Sequence, residues 1–365
     1  MVRILQKGPP EPYRTRLGHV RQEMKRRRLD GYLIQDRMDQ YWLTGFTGED
    51  GAVLVTEQAL VLLTDGRFDE AADREAPFAR KVLRKKRDAA ETVKQLRRAR
   101  VRRVGFNRDH MTVGEFAALR KQAGAVRLVA TESLVRPYRA CKDASEVARL
   151  RAAIRVAEQA FHAVRAWLRP GLSEREIAAR LVYEMQKRGA QGETFPTIVA
   201  AGANSSLPHC EPGATKLEEN QVLLIDWGAR VNWYGSDLTR VLWLGELPGE
   251  LRKVFDIVRE AHDRAIAAVR PGVRAKAVDA VARGVITRAG YGRRFNHGLG
   301  HGLGLVAHEA PRVAKTSTDI LQPGMVITIE PGIYLPGIGG VRLEDDVLVT
   351  ETGHEVLSSL PVEFS

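Results

Sequence analysis

A short phrase in this chain occurs twice. Trp-Leu-Arg-Pro-Gly-Leu-Ser at residues 167 to 173 matches Ala-Val-Arg-Pro-Gly-Val-Arg at residues 268 to 274. Each copy follows a long helical stretch and precedes another helix. Apolar positions upstream align in the same register: Ile154 with Phe255, Val156 with Ile257, Ala160 with Ala261. A repeat of this kind predicts two copies of one supersecondary unit packed against each other. Pro-Gly is a common helix stop, so convergent helix ends would give the same phrase.

Strands follow each helix pair. Residues 197 to 200 and 222 to 228 are apolar runs, and Trp233 and Tyr234 precede a run from Asp237 to Gly245. Residues 325 to 330 and 341 to 350 complete the set. Five oxygen and nitrogen donors sit on or beside these strands: Asp226, Asp237, His301, Glu330 and Glu344. One unit would carry Asp226 and Asp237, and another Glu330 and Glu344. An aspartate at a strand end is usually a turn or capping residue, so each position alone says little. Taken together, four carboxylates cancel the charge of two divalent cations, and carboxylates with one imidazole suit Mn²⁺, Co²⁺, Fe²⁺ or Zn²⁺.

The local contexts of these donors are specific. They are Leu-Ile-Asp-Trp-Gly, Gly-Ser-Asp-Leu-Thr-Arg, Thr-Ile-Glu-Pro-Gly, Val-Arg-Leu-Glu-Asp-Asp, and the run His-Gly-Leu-Gly-His-Gly-Leu-Gly-Leu-Val-Ala-His-Glu from 297 to 309. In order and context the chain resembles the pita-bread metallopeptidases, in their Xaa-Pro aminopeptidase and Xaa-Pro dipeptidase (prolidase) branch. Ala307 departs from the family pattern, where Val or Ile is usual. The resemblance implies two divalent ions, of which Mn²⁺ is favoured. Asp226 would be a terminal ligand to one ion, and His301 and Glu330 to the other, with Asp237 and Glu344 bridging. The catalytic candidates are His209, His308 and Glu330. His209, His297, His308, Tyr334 and Arg342 match substrate-binding positions, with His297 lining a proline pocket. Arg342 lies two residues before Glu344, so on one strand both side chains would share a face. The other five histidines, His19, His110, His162, His262 and His354, read as surface or satisfied core residues.

The first third reads as a separate α/β domain. A helix is predicted over residues 17 to 29 and another near 112 to 123. Strands are predicted at 32 to 34, 52 to 55, 60 to 63, 104 to 106 and 128 to 130. Residues 41 to 48 and 64 to 68 resemble the N-terminal domain of creatinase and Xaa-Pro aminopeptidase. Residues 136 to 143 read as a linker, a helix begins near Ala144, and Ser173 with Glu176 forms a capping box for the next. The expected architecture is thus α/β (α+β): a creatinase-like domain over 1–138, and a pita-bread domain with a pseudo-two-fold repeat over 139–365.

The net charge of +12 is concentrated between residues 80 and 103, where twelve Lys or Arg face two acids. No aromatic residues interleave with them, which argues against a single-strand stacking surface and makes nucleic acid an unlikely partner. A solvated helix face with Val93 and Leu96 buried is the simpler reading. No apolar run is long enough to span a membrane or to serve as a signal peptide core, and the two cysteines suggest no disulfide framework. A cytoplasmic enzyme is expected, a homodimer or higher homo-oligomer, acting on peptides with proline in second position. The N-terminal segments lean toward the aminopeptidase, with the dipeptidase as the alternative. A non-catalytic nucleic-acid- or protein-binding relative, and creatinase, which works without metal, both fit poorly with a complete ligand set.

Overall fold

The computed structural model describes residues 8–85 and 89–364. The chain divides into two compact units, Met1–Arg139 and Ala140–Ser365. Among the described residues, no helix is long and apolar enough to cross a membrane.

The first unit is built on a six-stranded sheet. In spatial order its strands are Arg80–Leu83, Leu60–Thr64, Gly51–Thr56, Gly31–Ile34, Arg103–Asn107 and Arg127–Thr131. Its core gathers Leu33, Leu54, Val61, Leu63, Val93, Leu96 and Val104. The first helix runs Tyr13–Arg26, earlier at both ends than its apolar spacing suggests. Arg28 adopts a left-handed φ of 55°, and the Leu29 amide donates back to the Met24 carbonyl. That closure ends the helix. The basic stretch is only partly helical: Arg80–Leu83 is a strand and Ala89–Arg98 a helix with Val93 and Leu96 buried. Its residues 86 to 88 lie outside the described residues. The predicted linker contains a short helix, Arg136–Ala140.

The second unit shows the repeat at the level of single hydrogen bonds. Helix Ala144–Arg165 packs with Glu174–Lys187, and Gly249–Ala268 with Ala275–Arg288. Between the partners of each pair, Gly171 and Gly272 take left-handed φ values of 89° and 82°. A side chain is strained there, which is why both phrases carry glycine. The Gly171 amide donates to the Leu217 carbonyl and the Gly272 amide to the Leu321 carbonyl, each at 2.8 Å. Isolated bridges Ser173 to Lys216 and Arg274 to Ile320 repeat the match. Ser173 and Glu176 form the capping box, whereas Arg274 caps nothing with its side chain.

Strand parity orients the strand that carries Asp226, Val222–Trp227. Leu223, Ile225 and Trp227 enter a core with Phe161, Ile177 and Leu181 of the first helix pair. Val222 and Leu224 enter the other core, with Val254, Phe255 and Val278 of the second pair. Asp226 shares their parity and so turns away from the first pair. Trp227 anchors the strand, stacked on Phe161 at 4.6 Å with its indole N–H on the Ala157 carbonyl. This strand pairs with Leu238–Trp243 and Ile198–Ala201. A second sheet of five strands holds Glu309–Val313, Gly300–Gly302, Val326–Ile329, Asp345–Val349 and His354–Val356. The bridge between Thr239 and Glu344 joins the two sheets.

Buried charges tie down the end of the chain. Arg240 is 0% exposed. It pairs with Asp345 at 2.6 Å and donates to the carbonyls of Thr239, Glu344, Leu360 and Pro361. Glu158 accepts from the Ser359 hydroxyl and the Leu360 amide. Arg252 and Arg259 both grip Glu363.

Candidate metal centre and active site

The bridge between the sheets brings the donors of both halves together. Asp226 is on the first sheet, and Asp237 directly precedes its next strand. The Asp237 amide donates to Asp346 at 3.2 Å, which fixes the turn into the strand. His301 is central in Gly300–Gly302, Glu330 follows Val326–Ile329, and Glu344 precedes Asp345–Val349. Among the described residues, ligand atoms of Asp237, His301 and Glu344 lie within 4.8 Å of one another. His301 Nε2 is also 3.4 Å from Glu330 Oε1 and 3.7 Å from Asp237 Oδ2. Its Nδ1 lies 3.1 Å from the Gly302 carbonyl, which holds the proton on that side and leaves the Nε2 lone pair facing the carboxylates.

The electrostatics of this cluster call for cations. Burial, then repulsion from Glu344 and Asp226, holds the Asp237 carboxyl well above its usual range. Burial, then Glu330 and Asp226, does the same to Glu344. Burial pushes Glu330 up to about 8. It raises Asp226 as well, against the pull of Arg342. His301 is pushed down to about 3, by burial and then by His308. Asp226 Oδ1 is buried with no hydrogen-bond partner. An orphaned carboxylate oxygen beside three crowded carboxyls and a free imidazole nitrogen fits a divalent metal site.

Arg342 organises one side of the cluster. It is 2% exposed. One guanidinium nitrogen pairs with Asp226, Nη1 donates to the Tyr334 hydroxyl at 2.9 Å, and Nε donates to Thr239 Oγ1 at 3.2 Å. Thr239 in turn donates to Glu344 at 2.6 Å. The Tyr334 hydroxyl lies 2.9 Å from His297 Nε2. Burial, then Arg342, lowers His297 to about 4, so it is a neutral acceptor for that hydroxyl. Burial raises Tyr334 to about 12, which keeps its proton on. The expectation that Arg342 and Glu344 share one strand is not met. The strand Gly339–Arg342 ends before Glu344, which instead bridges to Thr239.

A cleft of about 690 Å³ opens over the cluster. His209, His297 and His308 line it together with the five donors and Arg342. The His308 ring is 4.1 Å from that of His301, and His209 is exposed on the opposite lining loop. Tyr334 lies behind His297. Three polar residues escaped the sequence reading. Thr239 and Arg240 stand inside the quoted aspartate motif, where their position was the only clue. Arg312 follows His-Glu-Ala-Pro, lines the cleft, and is exposed. His262 is a buried core histidine, with Nε2 3.1 Å from Asp345.

A duplicated α/β unit closing a carboxylate–imidazole cluster under a peptide-sized cleft defines a metallopeptidase of the pita-bread class. The chain belongs to metallopeptidase family M24, which it matches over residues 148–351, and it matches the creatinase/prolidase N-terminal domain over residues 16–141. Members of this family work with a dinuclear divalent metal centre. An Xaa-Pro dipeptidase of Pyrococcus horikoshii is 34% identical over 345 residues, 93% of this chain and 96% of that protein. The structure of an Xaa-Pro dipeptidase from Bacillus anthracis superposes with a TM-score of 0.93 at 35% identity, covering 96% of this chain and 99% of the other. The X-Pro aminopeptidase of Thermotoga maritima gives 0.87 at 34% identity, covering 93% and 99%.

Proposed function

We propose that the chain is an Xaa-Pro dipeptidase, with residues 139–365 as its catalytic part. The dipeptidases among its relatives support this reading over the aminopeptidase that the N-terminal segments favour. The observation that carries it is Arg312. In a dipeptide the proline bears a free carboxylate, and a dipeptidase needs a cation to receive it. Among the described residues, no ion pair engages the Arg312 guanidinium, although it lines the cleft. The other lining arginine, Arg342, is already committed to Asp226.

Asp226, Asp237, His301, Glu330 and Glu344 would hold two divalent ions, with Mn²⁺ favoured by the oxygen-rich set. Such ions polarise a carbonyl oxygen and make water a strong nucleophile at neutral pH. The chain's own groups supply the rest. Arg342 fixes Asp226 directly and Glu344 through Thr239, so the donor geometry is set before substrate arrives. His297, buttressed by Tyr334, walls the proline side of the cleft. His308 and His209 face the scissile peptide. Burial lowers the His308 pKa, which leaves a neutral imidazole able to take and return a proton. A homo-oligomer is part of the reading, and the free Cys141 and Cys210 accord with a reducing cytoplasm.

Steady-state kinetics on Ala-Pro and Ala-Pro-Ala with added Mn²⁺ test this. Ala-Pro is the better substrate, and Arg312→Met raises its KM by roughly 10–100-fold, the range for one lost charge-assisted contact. KM for the tripeptide, whose proline has no free carboxylate, changes little. Efficient cleavage of the tripeptide, with Arg312→Met silent on both, gives the aminopeptidase instead.

A further inference from the structure

Lys142 lies two residues before the helix Ala144–Arg165, and its side chain is 1% exposed. A lysine is almost never buried unless paired. Its ammonium lies 2.8 Å from Glu309 Oε1 and donates to the Ala140 carbonyl at 3.1 Å. Its backbone is fixed too: the Lys142 amide donates to the Gly324 carbonyl at 2.7 Å, and Cys141 bridges to Met325. The cation is therefore held by the sheet that carries Glu330.

Its partner Glu309 directly follows His308. The chain leaves the sheet after Gly302 and rejoins it at Glu309, the residue paired with Gly302 across a register shift. Residues 303 to 308 form the excursion, and Glu309 is its return point. The space inside is filled by the ion pair. A Cβ at Gly304 would lie 2.3 Å from Glu309 Oε1 and 3.1 Å from Lys142 Cε. A second buried contact runs alongside. Glu146 accepts from the Tyr234 hydroxyl at 2.6 Å, and the Gly235 amide donates to the Gly304 carbonyl at 2.9 Å. One helix start thus grips both the approach to Asp237 and the excursion that carries His308.

We propose that Lys142 is a positioning residue for peptide hydrolysis, acting through its ion pair with Glu309 to fix His308 over the metal site. This rests on the role given to His308 above. Without the ammonium, the half-buried Glu309 carboxylate loses this ion pair and is drawn toward water in the open cleft that it lines. The return point moves with it, and His308 loses its place.

The test is a double-mutant cycle on the full, metal-loaded chain with Ala-Pro as substrate. Lys142→Met should lower kcat about tenfold with little change in KM, as expected for a displaced catalytic group. In a His308→Ala background, the same substitution should cause no further loss. In the metal-free chain, amide exchange should rise over residues 303 to 309 and not in the strand Val326–Ile329. Lys142→Met with kcat within about twofold of wild type overturns the proposal, as does an equal loss in both backgrounds, which marks a general weakening of the fold. If His308→Ala itself leaves kcat intact, the role of His308 falls and this proposal with it. If only Lys142→Met is silent, the proposal falls alone. Should Lys142→Met fail to fold, Glu309→Gln breaks the same pair, and the same outcomes apply.

Discussion

Replacing Glu344 with glutamine should stabilise the metal-free chain and weaken the chain once metal is supplied. Glu344 is 2% exposed, and burial with the nearby Glu330 and Asp226 holds its carboxyl well above the ordinary 4.5. A carboxyl raised in this way keeps its proton in the folded state over a range where the unfolded chain has lost its own. Stability therefore falls as pH rises from the unfolded value toward the folded one. One proton separates the states in that window, so the slope is about 1.4 kcal/mol per pH unit. Each pH unit above the unfolded value therefore costs the wild-type chain about 1.4 kcal/mol at this residue until the folded value is reached. Glutamine does not titrate, and its carbonyl oxygen can still accept from Thr239. The variant should match wild type near pH 4.5 and exceed it by a margin that grows as the pH rises through that window. Less repulsion on Asp237 adds in the same direction. With Mn²⁺ in large excess the order should reverse, because wild type gains about 4.1 kcal/mol at a thousandfold excess over Kd and the variant would lack one of the proposed donors. Urea unfolding across pH 4.5 to 7.5, with EDTA and with Mn²⁺, measures both arms. A variant no more stable than wild type in EDTA near pH 6.5, or a difference flat with pH, would refute the reasoning.

Two further outcomes are expected. Chelation should abolish activity, and Asp237→Asn should lose activity together with at least one of two ions per chain, counted by elemental analysis of the purified protein. Arg240→Met should destabilise the chain by about 3–5 kcal/mol with or without metal, because it strips the cation from a buried pair. The urea series reads it out, and a loss confined to the metal-loaded form would contradict it.

The parts of the fold written in local chemistry were legible. Arg-Pro-Gly marks a helix stop that needs a left-handed glycine, and both copies supply one. The run from 222 to 228 shows its strand through apolar residues, and each donor sits in a short motif of its own. Features set by partners far along the chain left no such trace. Lys142 looks like any linker lysine until Glu309 is folded against it. Arg342 was assigned by resemblance; the period-two rule that would set it on one strand face with Glu344 is cancelled by the break before Glu344, yet Arg342 still meets Asp226. Arg80–Leu83 hides in a charge run because it is short, half-exposed along its length and without alternation, and two of its four residues are cations. Nor does spacing choose between dipeptide and longer substrate, a choice that the role proposed for Arg312 would make.

The anchors at the two ends of the second unit bear on its modularity. The family match runs from 148 to 351, but Lys142 and Glu146 stand before it, and the segment held by Glu158, Arg240 and Arg252 comes after it. A graft of residues 148 to 351 into another protein would carry all five donors and all three cleft histidines. It would leave Arg240 without the carbonyls of Leu360 and Pro361, Glu158 without Ser359, and Glu309 without its ammonium. The transferable piece is therefore longer than the recognisable one, and its borders lie where buried charges find their last partners.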